Sequence, residues 1–408
     1  MPKVADQWLR DILLFLSQRR TSTRTEILEA TEINAASVSH ALRFLMGVGV
    51  VIKVGERDSS GGRKQEVLKL NADERYLVAI DLEGMSIRFA LTNLAGDIRC
   101  RWEEDVSFGQ TLDVRRIHHG IERVLASLDS RQRSRVVCIG VSHPGFPAKD
   151  GRITAVNLGW SEFPLGEHLS RLSDLPVFFE DAHRTYVQAE RWAGAGRNSD
   201  NFVYIIVGHG VGVGCIVDGH LLQGAAGAAG ELGHITIDPS APDLCHCGKR
   251  GCLEAIASSP NIVRQYLEKI ARQGRKLDEI RVAAVYDAAR RNEAEAIEVV
   301  DRAARHLGLA LSNLIQILNP ELVVFGGDLI QAQDLFLPRI QAVLKETLLP
   351  KLAEQLHLTI SSLGGDIGLK GAATMAFQKC LADPKILRGK VCGAVSAKGS
   401  RQLAVGAT

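Results

Sequence analysis

Three cysteines and one histidine are spaced to take a metal. His234 precedes Cys245 by eleven residues, and Cys247 and Cys252 follow within the run Cys-His-Cys-Gly-Lys-Arg-Gly-Cys. Three thiolates and an imidazole complete a tetrahedral Zn2+ shell with no open position, the chemistry of a structural site. Gly248 and Gly251 permit the tight turn that brings Cys252 back. His246 is an alternative ligand, but its neighbours already supply the set and its side chain is expected to point away. Without a metal, three thiols in a glycine-rich loop would be prone to oxidation.

A second chemistry lies in the first seventy residues. Trp8, Leu9, Ile12, Leu13 and Leu16 recur at helical spacing and predict a helix over 6–19. Thr23-Arg-Thr-Glu26 has the capping-box form and opens a second helix to about Thr31. Asn34 is a good N-cap for a third helix through Met46. In that helix Val38, Ala41, Leu42 and Leu45 form the inward stripe, while Ala36, Ser37, Ser39, His40 and Arg43 are expected to meet a ligand. Small residues at the start of a helix, with hydrogen-bonding ones further along, suit entry into a DNA major groove. A strand over Val50–Val54, a polar loop from Gly55 to Arg63 and a strand over Lys64–Leu70 complete a hairpin. Its tip carries Gly62, Arg63 and Lys64, a flexible backbone with cations suited to phosphates or a narrow minor groove. A winged helix-turn-helix over 1–72 that binds double-stranded DNA is therefore expected.

Positioning these groups takes a chain of 408 residues, long enough for two or three domains. Apolar residues make up 46% and charged residues 24%, as in ordinary globular protein, which excludes a disordered or fibrous chain. The net charge of +2 points to no partner by itself. No secretory signal or membrane-length apolar run is visible, so a reducing cytoplasm is expected, and the eight cysteines read as metal ligands and buried thiols. Strand patterns at Tyr76–Asp81 and Phe202–Val207, each followed by a turn and another strand, predict two similar α/β units facing a cleft. The expected division is a first lobe over 73–195, joined by a last helix at about 371–382, and a second lobe over 196–370 that carries the zinc site and a dimerisation surface. Residues 383–408 carry five cations and no periodicity, and read as a mobile tail.

Glu231-Leu-Gly-His234, the Cys-x-Cys-Gly-x-x-Gly-Cys252-Leu-Glu254 run and the glycine-rich segment before them resemble the ROK family of repressors, open reading frames and kinases. The resemblance spans about residues 8–380. It implies an actin-like ATPase fold with a sugar in the interdomain cleft. By that resemblance Asn157, Glu180, Asp181, Glu231, His234 and Glu254 are sugar-contacting. Carboxylates, an amide and an imidazole are suited to hydroxyls, which both donate and accept. His234 could then ligate zinc through one ring nitrogen and meet a hydroxyl through the other.

The family's kinases open their first turn with Asp-x-Gly-Gly-Thr; here the stretch reads Asp81-Leu-Glu83-Gly84-Met85. A carboxylate stands at a glycine position and a thioether replaces the hydroxyl. About 4 Å from an ATP phosphate, Glu83 would cost on the order of kcal/mol in repulsion. The second phosphate turn reads Gly208-His209-Gly210, although Asp181, at the position of the kinases' general base, is retained. A non-enzymatic, sugar-responsive repressor is expected: a homodimer or tetramer on a palindromic operator, released by a carbohydrate, neutral rather than phosphorylated. The alternative is an active sugar kinase with an attached DNA-binding domain.

Overall fold

The computed structural model describes residues 2–58, 64–84, 86–106, 111–147, 152–155, 158–225, 227–275, 280–382 and 384–387. Gly62, Arg63, Met85, Asn157 and most of the expected tail lie outside them.

The N-terminal unit contains helices Pro2–Gln18, Arg24–Thr31 and Ala35–Gly47. Thr23 and Glu26 form a reciprocal cap: Thr23 Oγ1 accepts from the Glu26 amide at 3.3 Å, and Glu26 Oε2 accepts from the Thr23 amide at 2.7 Å. Asn34 caps the third helix by accepting from the Ser37 amide at 3.0 Å. Strand Val51–Arg57 pairs antiparallel with Gln65–Leu70, which also pairs with Ser22–Thr23. The first of these strands runs three residues further than expected. A register shift between Lys53 and Gly55 leaves Val54 as the extra residue, and pairing continues from Gly55 through Arg57.

The remaining chain builds two five-stranded sheets. In the first, Val177–Asp181, Val136–His143 and Tyr76–Asp81 run parallel, followed by antiparallel Ser86–Asn93 and Ile98–Asp105. In the second, His357–Ile360, Leu322–Gly327 and Phe202–Val207 run parallel, followed by antiparallel Val211–Val217 and His220–Leu221. The two sheets thus repeat one topology. Among the described residues no helix is long and apolar enough to cross a membrane.

Two helices join the parts. Helix Ala182–Ala193 follows directly from strand Val177–Asp181 and packs against strand Val211–Val217 of the other sheet. Helix Ile367–Ala382 returns the chain to the first sheet, crossing Tyr76–Asp81 and Val136–His143 and lying along Ala182–Ala193. It starts four residues earlier than the sequence suggested. Gly371 sits against the backbone of Thr185, where a Cβ has no room, so the glycine marks a helix–helix contact rather than a helix start.

The N-terminal unit has no core of its own that stops at its boundary. Leu9, Ile12, Leu13 and Leu16 from the first helix, with Leu42 and Leu45 from the third, belong to one buried cluster with Trp192, Met375, Phe377, Cys380 and Leu381. Leu387 joins that cluster. Residues Pro384–Leu387, within the stretch expected as a tail, form a helical turn. Arg75 holds the turn by donating from Nε to the Leu387 carbonyl at 2.9 Å and from Nη2 to the Val48 carbonyl at 3.2 Å. Phe377 is buried edge-to-face on Trp192, ring centroids 5.9 Å apart. Phe377→Ala should therefore lower unfolding free energy by about 3–5 kcal/mol. Denaturant titration checks the loss, and limited proteolysis should show earlier cleavage around residue 75.

Candidate functional site: a carboxylate-lined cleft over a cysteine knuckle

A cavity of about 290 Å3 opens between the first turn of one sheet and the loops of the other. Asp181, Glu231, His234 and Glu254 line it, as do Glu83, His183, His209 and His246. Four of the six residues named as sugar-contacting from the sequence are therefore together, and Asn157 lies outside the described residues. Glu180 is not among the lining side chains. Alternation along the strand sends it to the opposite side from Asp181. There its Oε1 accepts from Arg184 Nε at 2.9 Å, and its Oε2 lies 3.7 Å from Lys379.

Asp181 ends a strand and caps the buried helix Ala182–Ala193. Its Oδ1 accepts from the His183 amide at 3.0 Å and the Arg184 amide at 3.4 Å, and lies 3.2 Å from His183 Nδ1. Burial alone would raise the Asp181 pKa, but His183, Arg184 and His143 outweigh it and bring the group down to about 2. Burial would likewise lower His183, yet the pairing with Asp181, aided by Glu83 and Glu231, lifts it to about 9. Near neutrality the two form a fixed ion pair.

The first turn carries its own charges. Asp81 is fully buried and paired with Arg88, which also donates to the Gly365 carbonyl. The Glu83 amide donates to Asp81 Oδ1 at 3.2 Å, leaving the side chain along the cavity. Burial, offset by His183 and reinforced by Asp81 and Asp181, pushes the Glu83 carboxyl up to about 7.

Glu254 follows Cys252 on the short helix Leu253–Ala257. Its Oε2 accepts from the Val211 amide at 3.0 Å, and its Oε1 lies 2.9 Å from His246 Nδ1. Despite the opposing effect of burial, these contacts hold its pKa below the ordinary range. The role of His246 in the cleft was missed in the sequence, because its partner is eight residues away across the knuckle.

Beneath the cleft, one ligand atom from each of His234, Cys245, Cys247 and Cys252 lies within 4.8 Å of the others. His234 Nδ1 is 3.6 Å from Cys245 Sγ, and Cys247 Sγ is 3.7 Å from Cys252 Sγ. Metal bonds of about 2.3 Å to sulfur and about 2.0 Å to nitrogen in a tetrahedron give ligand separations of about 3.5–3.8 Å. The cluster is compatible with structural zinc and leaves no coordination position for a ligand.

On the N-terminal unit, Ala36, His40 and Arg43 are exposed on the third helix, Ser39 is half-buried and Lys64 is exposed beside the hairpin tip. Ser37 is buried, contrary to expectation, because it sits in the first turn under its Asn34 cap and faces the core with Val38.

Two α/β lobes of repeated topology, a carboxylate-lined cleft between them and a Cys/His knuckle below it define a class of sugar kinases and their regulatory relatives. The chain belongs to the ROK family, whose profile matches residues 77–379. It is 34% identical over 318 residues to a glucokinase of Halalkalibacterium halodurans, covering 75% of this chain and 96% of that protein. It is 28% identical over 386 residues to a xylose repressor of Caldicellulosiruptor bescii, covering 92% of this chain and 96% of that protein. A solved structure described as a ROK family transcriptional regulator, homolog of the E. coli MLC protein, superposes with a TM-score of 0.79 at 28% identity, covering 95% of this chain and all of that one. The actin-like ROK fold thus holds for this chain.

Two measurements probe the site. His183, with its pKa raised, adds stability that is complete below about pH 6.5 and is lost as pH rises through about 9. Asp181, with its pKa lowered, adds stability that is complete above about pH 4 and is lost as pH falls through about 2. Wild type should therefore lose more stability between pH 6.5 and 9.5 than His183→Gln does, read by denaturant midpoints across that range. Cys252→Ser should reduce bound metal from one equivalent to near none by elemental analysis, with a lower melting temperature.

Proposed function

We propose that the protein is a sugar-responsive transcriptional repressor. Its N-terminal unit acts as a winged helix-turn-helix that binds a palindromic operator as a homodimer. Ala36, Ser39, His40 and Arg43 meet the major groove, and Gly62, Arg63 and Lys64 meet the flanking backbone or minor groove. A carbohydrate held by Asp181, Glu231, His234 and Glu254, with Asn157 on the same ligand, releases the operator. Zinc in the Cys/His knuckle fixes the loop that carries His234 and Glu254.

The observation that carries this reading is the shared core. Trp192 lies on the helix that begins at Asp181, and it packs in one cluster with Leu9, Leu13, Leu42 and Phe377. A change in the cleft that shifts helix Ala182–Ala193 therefore moves the seat of the DNA unit. To switch occupancy, the sugar need only favour one arrangement by a few kcal/mol. The span of the match to the xylose repressor, which extends past that to the glucokinase, supports the same assignment.

A neutral sugar is favoured over a phosphorylated one, because Glu83, Asp181, Glu231 and Glu254 all face the cavity and His183 is already engaged by Asp181. The same groups argue against ATP turnover. The second reading is a DNA-tethered sugar kinase, favoured by the retained Asp181 and by the 34% identity to a glucokinase. Sugar-dependent ADP release that disappears in Asp181→Asn would establish it.

The deciding experiment is selection of bound genomic fragments, followed by fluorescence anisotropy with the selected site and thermal shift against D-glucose, D-xylose, D-mannose, D-galactose, N-acetyl-D-glucosamine and their phosphates. Sequence-selective binding that weakens with a free sugar is expected, and absence of selective binding across a range of salt overturns the proposal. Arg43→Ala should weaken operator binding by about 1–3 kcal/mol while leaving sugar-induced thermal shifts unchanged.

A further inference from the structure

We infer that His246 is a specificity-determining residue of the cleft, holding the Glu254 carboxylate so that its remaining acceptor positions face a sugar hydroxyl in fixed directions. The inference rests on the sugar-binding reading above. It adds a residue that the metal set, the cysteine spacing and the family resemblance do not assign.

His246 stands between Cys245 and Cys247, yet it lies outside the His234, Cys245, Cys247 and Cys252 cluster and falls instead in a second group with His234 and Glu254. Its ring turns to the cavity instead and meets the ring of His234 edge-to-face, centroids 5.2 Å apart. Nδ1 reaches Glu254 Oε1 at 2.9 Å. Glu254 is therefore gripped at both oxygens, by a strand amide at Oε2 and by an imidazole at Oε1. A carboxylate has about four acceptor positions, and two are now taken in fixed directions. What remains for a ligand is one acceptor position at each oxygen, with His234 and His246 beside the carboxylate.

The exposures fit this arrangement. The His246 side chain is 54% exposed and that of Glu254 only 9%, so the imidazole forms part of the lip over the acid. Gly210 leaves the acid its place, since a Cβ there would stand 2.9 Å from Glu254 Oε2. A hydroxyl of the wrong configuration at this corner meets the imidazole edge rather than a free lone pair. Discrimination of this kind falls on epimers, which differ in hydroxyl direction and not in composition.

The test compares the full-length zinc-loaded protein with His246→Ala and His246→Asn by isothermal titration against D-glucose and its C2, C3 and C4 epimers D-mannose, D-allose and D-galactose, with D-xylose and N-acetyl-D-glucosamine added. Removing a hydrogen bond to a charged group should weaken the best-bound sugar about tenfold in His246→Ala and compress the ratio between epimers. His246→Asn, which restores an N–H donor, should recover much of both. Bound zinc measured by elemental analysis should stay at one equivalent in both variants. Wild-type affinity and an unchanged epimer ratio in His246→Ala overturn the inference while leaving the sugar-binding reading intact. Loss of zinc in His246→Ala also overturns it, because the ring would then act as a metal ligand. If wild type binds none of these sugars, the sugar-binding reading falls and this inference falls with it.

Discussion

Helix Ala182–Ala193 has almost no face open to solvent, and the arrangement of the rest follows from that constraint. It lies between strand Val211–Val217 of one sheet and helix Ile367–Ala382 of the other lobe, with nine of its residues buried. Such a helix must satisfy its own polar ends and admit backbones at close range. Asp181 supplies the first requirement by taking up the amides of His183 and Arg184. Glycine supplies the second, since Gly214 passes so near the His183 carbonyl and Val187 that no side chain fits. Two buried charge pairs lie at its start, Asp181 with His183 and Glu180 with Arg184, while buried Glu190 accepts from the Ala195 amide and the Ser361 hydroxyl. Unpaired, any one of these would be costly at this depth.

The same helix explains why cleft and N-terminal unit are mechanically close although they are far apart in sequence. One end starts in the ligand cavity and the other carries Trp192 into the cluster beneath the first and third N-terminal helices. Interfaces of this density repack between discrete arrangements rather than bending smoothly. On the other side of the cavity the Cys/His cluster includes His234, and Glu254 follows two residues after Cys252.

Local signals in the sequence were legible where local physics decides. The Thr23–Glu26 box, the Asn34 cap, the cysteine spacing and the two strand–turn–strand openings all rest on contacts within a few residues. Pairings across the fold were not legible. Glu180 and Asp181 look equivalent side by side, but strand alternation sends one to Arg184 and the other to the cleft. Ser37 looks like a surface polar residue until its turn packs on the core. The contacts of His183 and His246 in the cleft were not legible, because they depend on Asp181 and Glu254. Strand Ile98–Asp105, where Arg99, Arg101 and Glu103 alternate with half-buried residues, reads as polar because it is a sheet edge.

The absence of a seam around the N-terminal unit bears on how such a chain could change its job over generations. Excising residues 2–75 would uncover Trp192, Met375, Phe377 and Leu381 and leave the Leu387 carbonyl without its Arg75 donor. An apolar patch of that kind invites self-association in a free-standing protein. Descent to a shorter relative without the N-terminal unit would require polar residues on one face of the last helix, and gaining the unit would require the reverse. The module boundary is thus written in the composition of helix Ile367–Ala382, at the far end of the chain from the module itself.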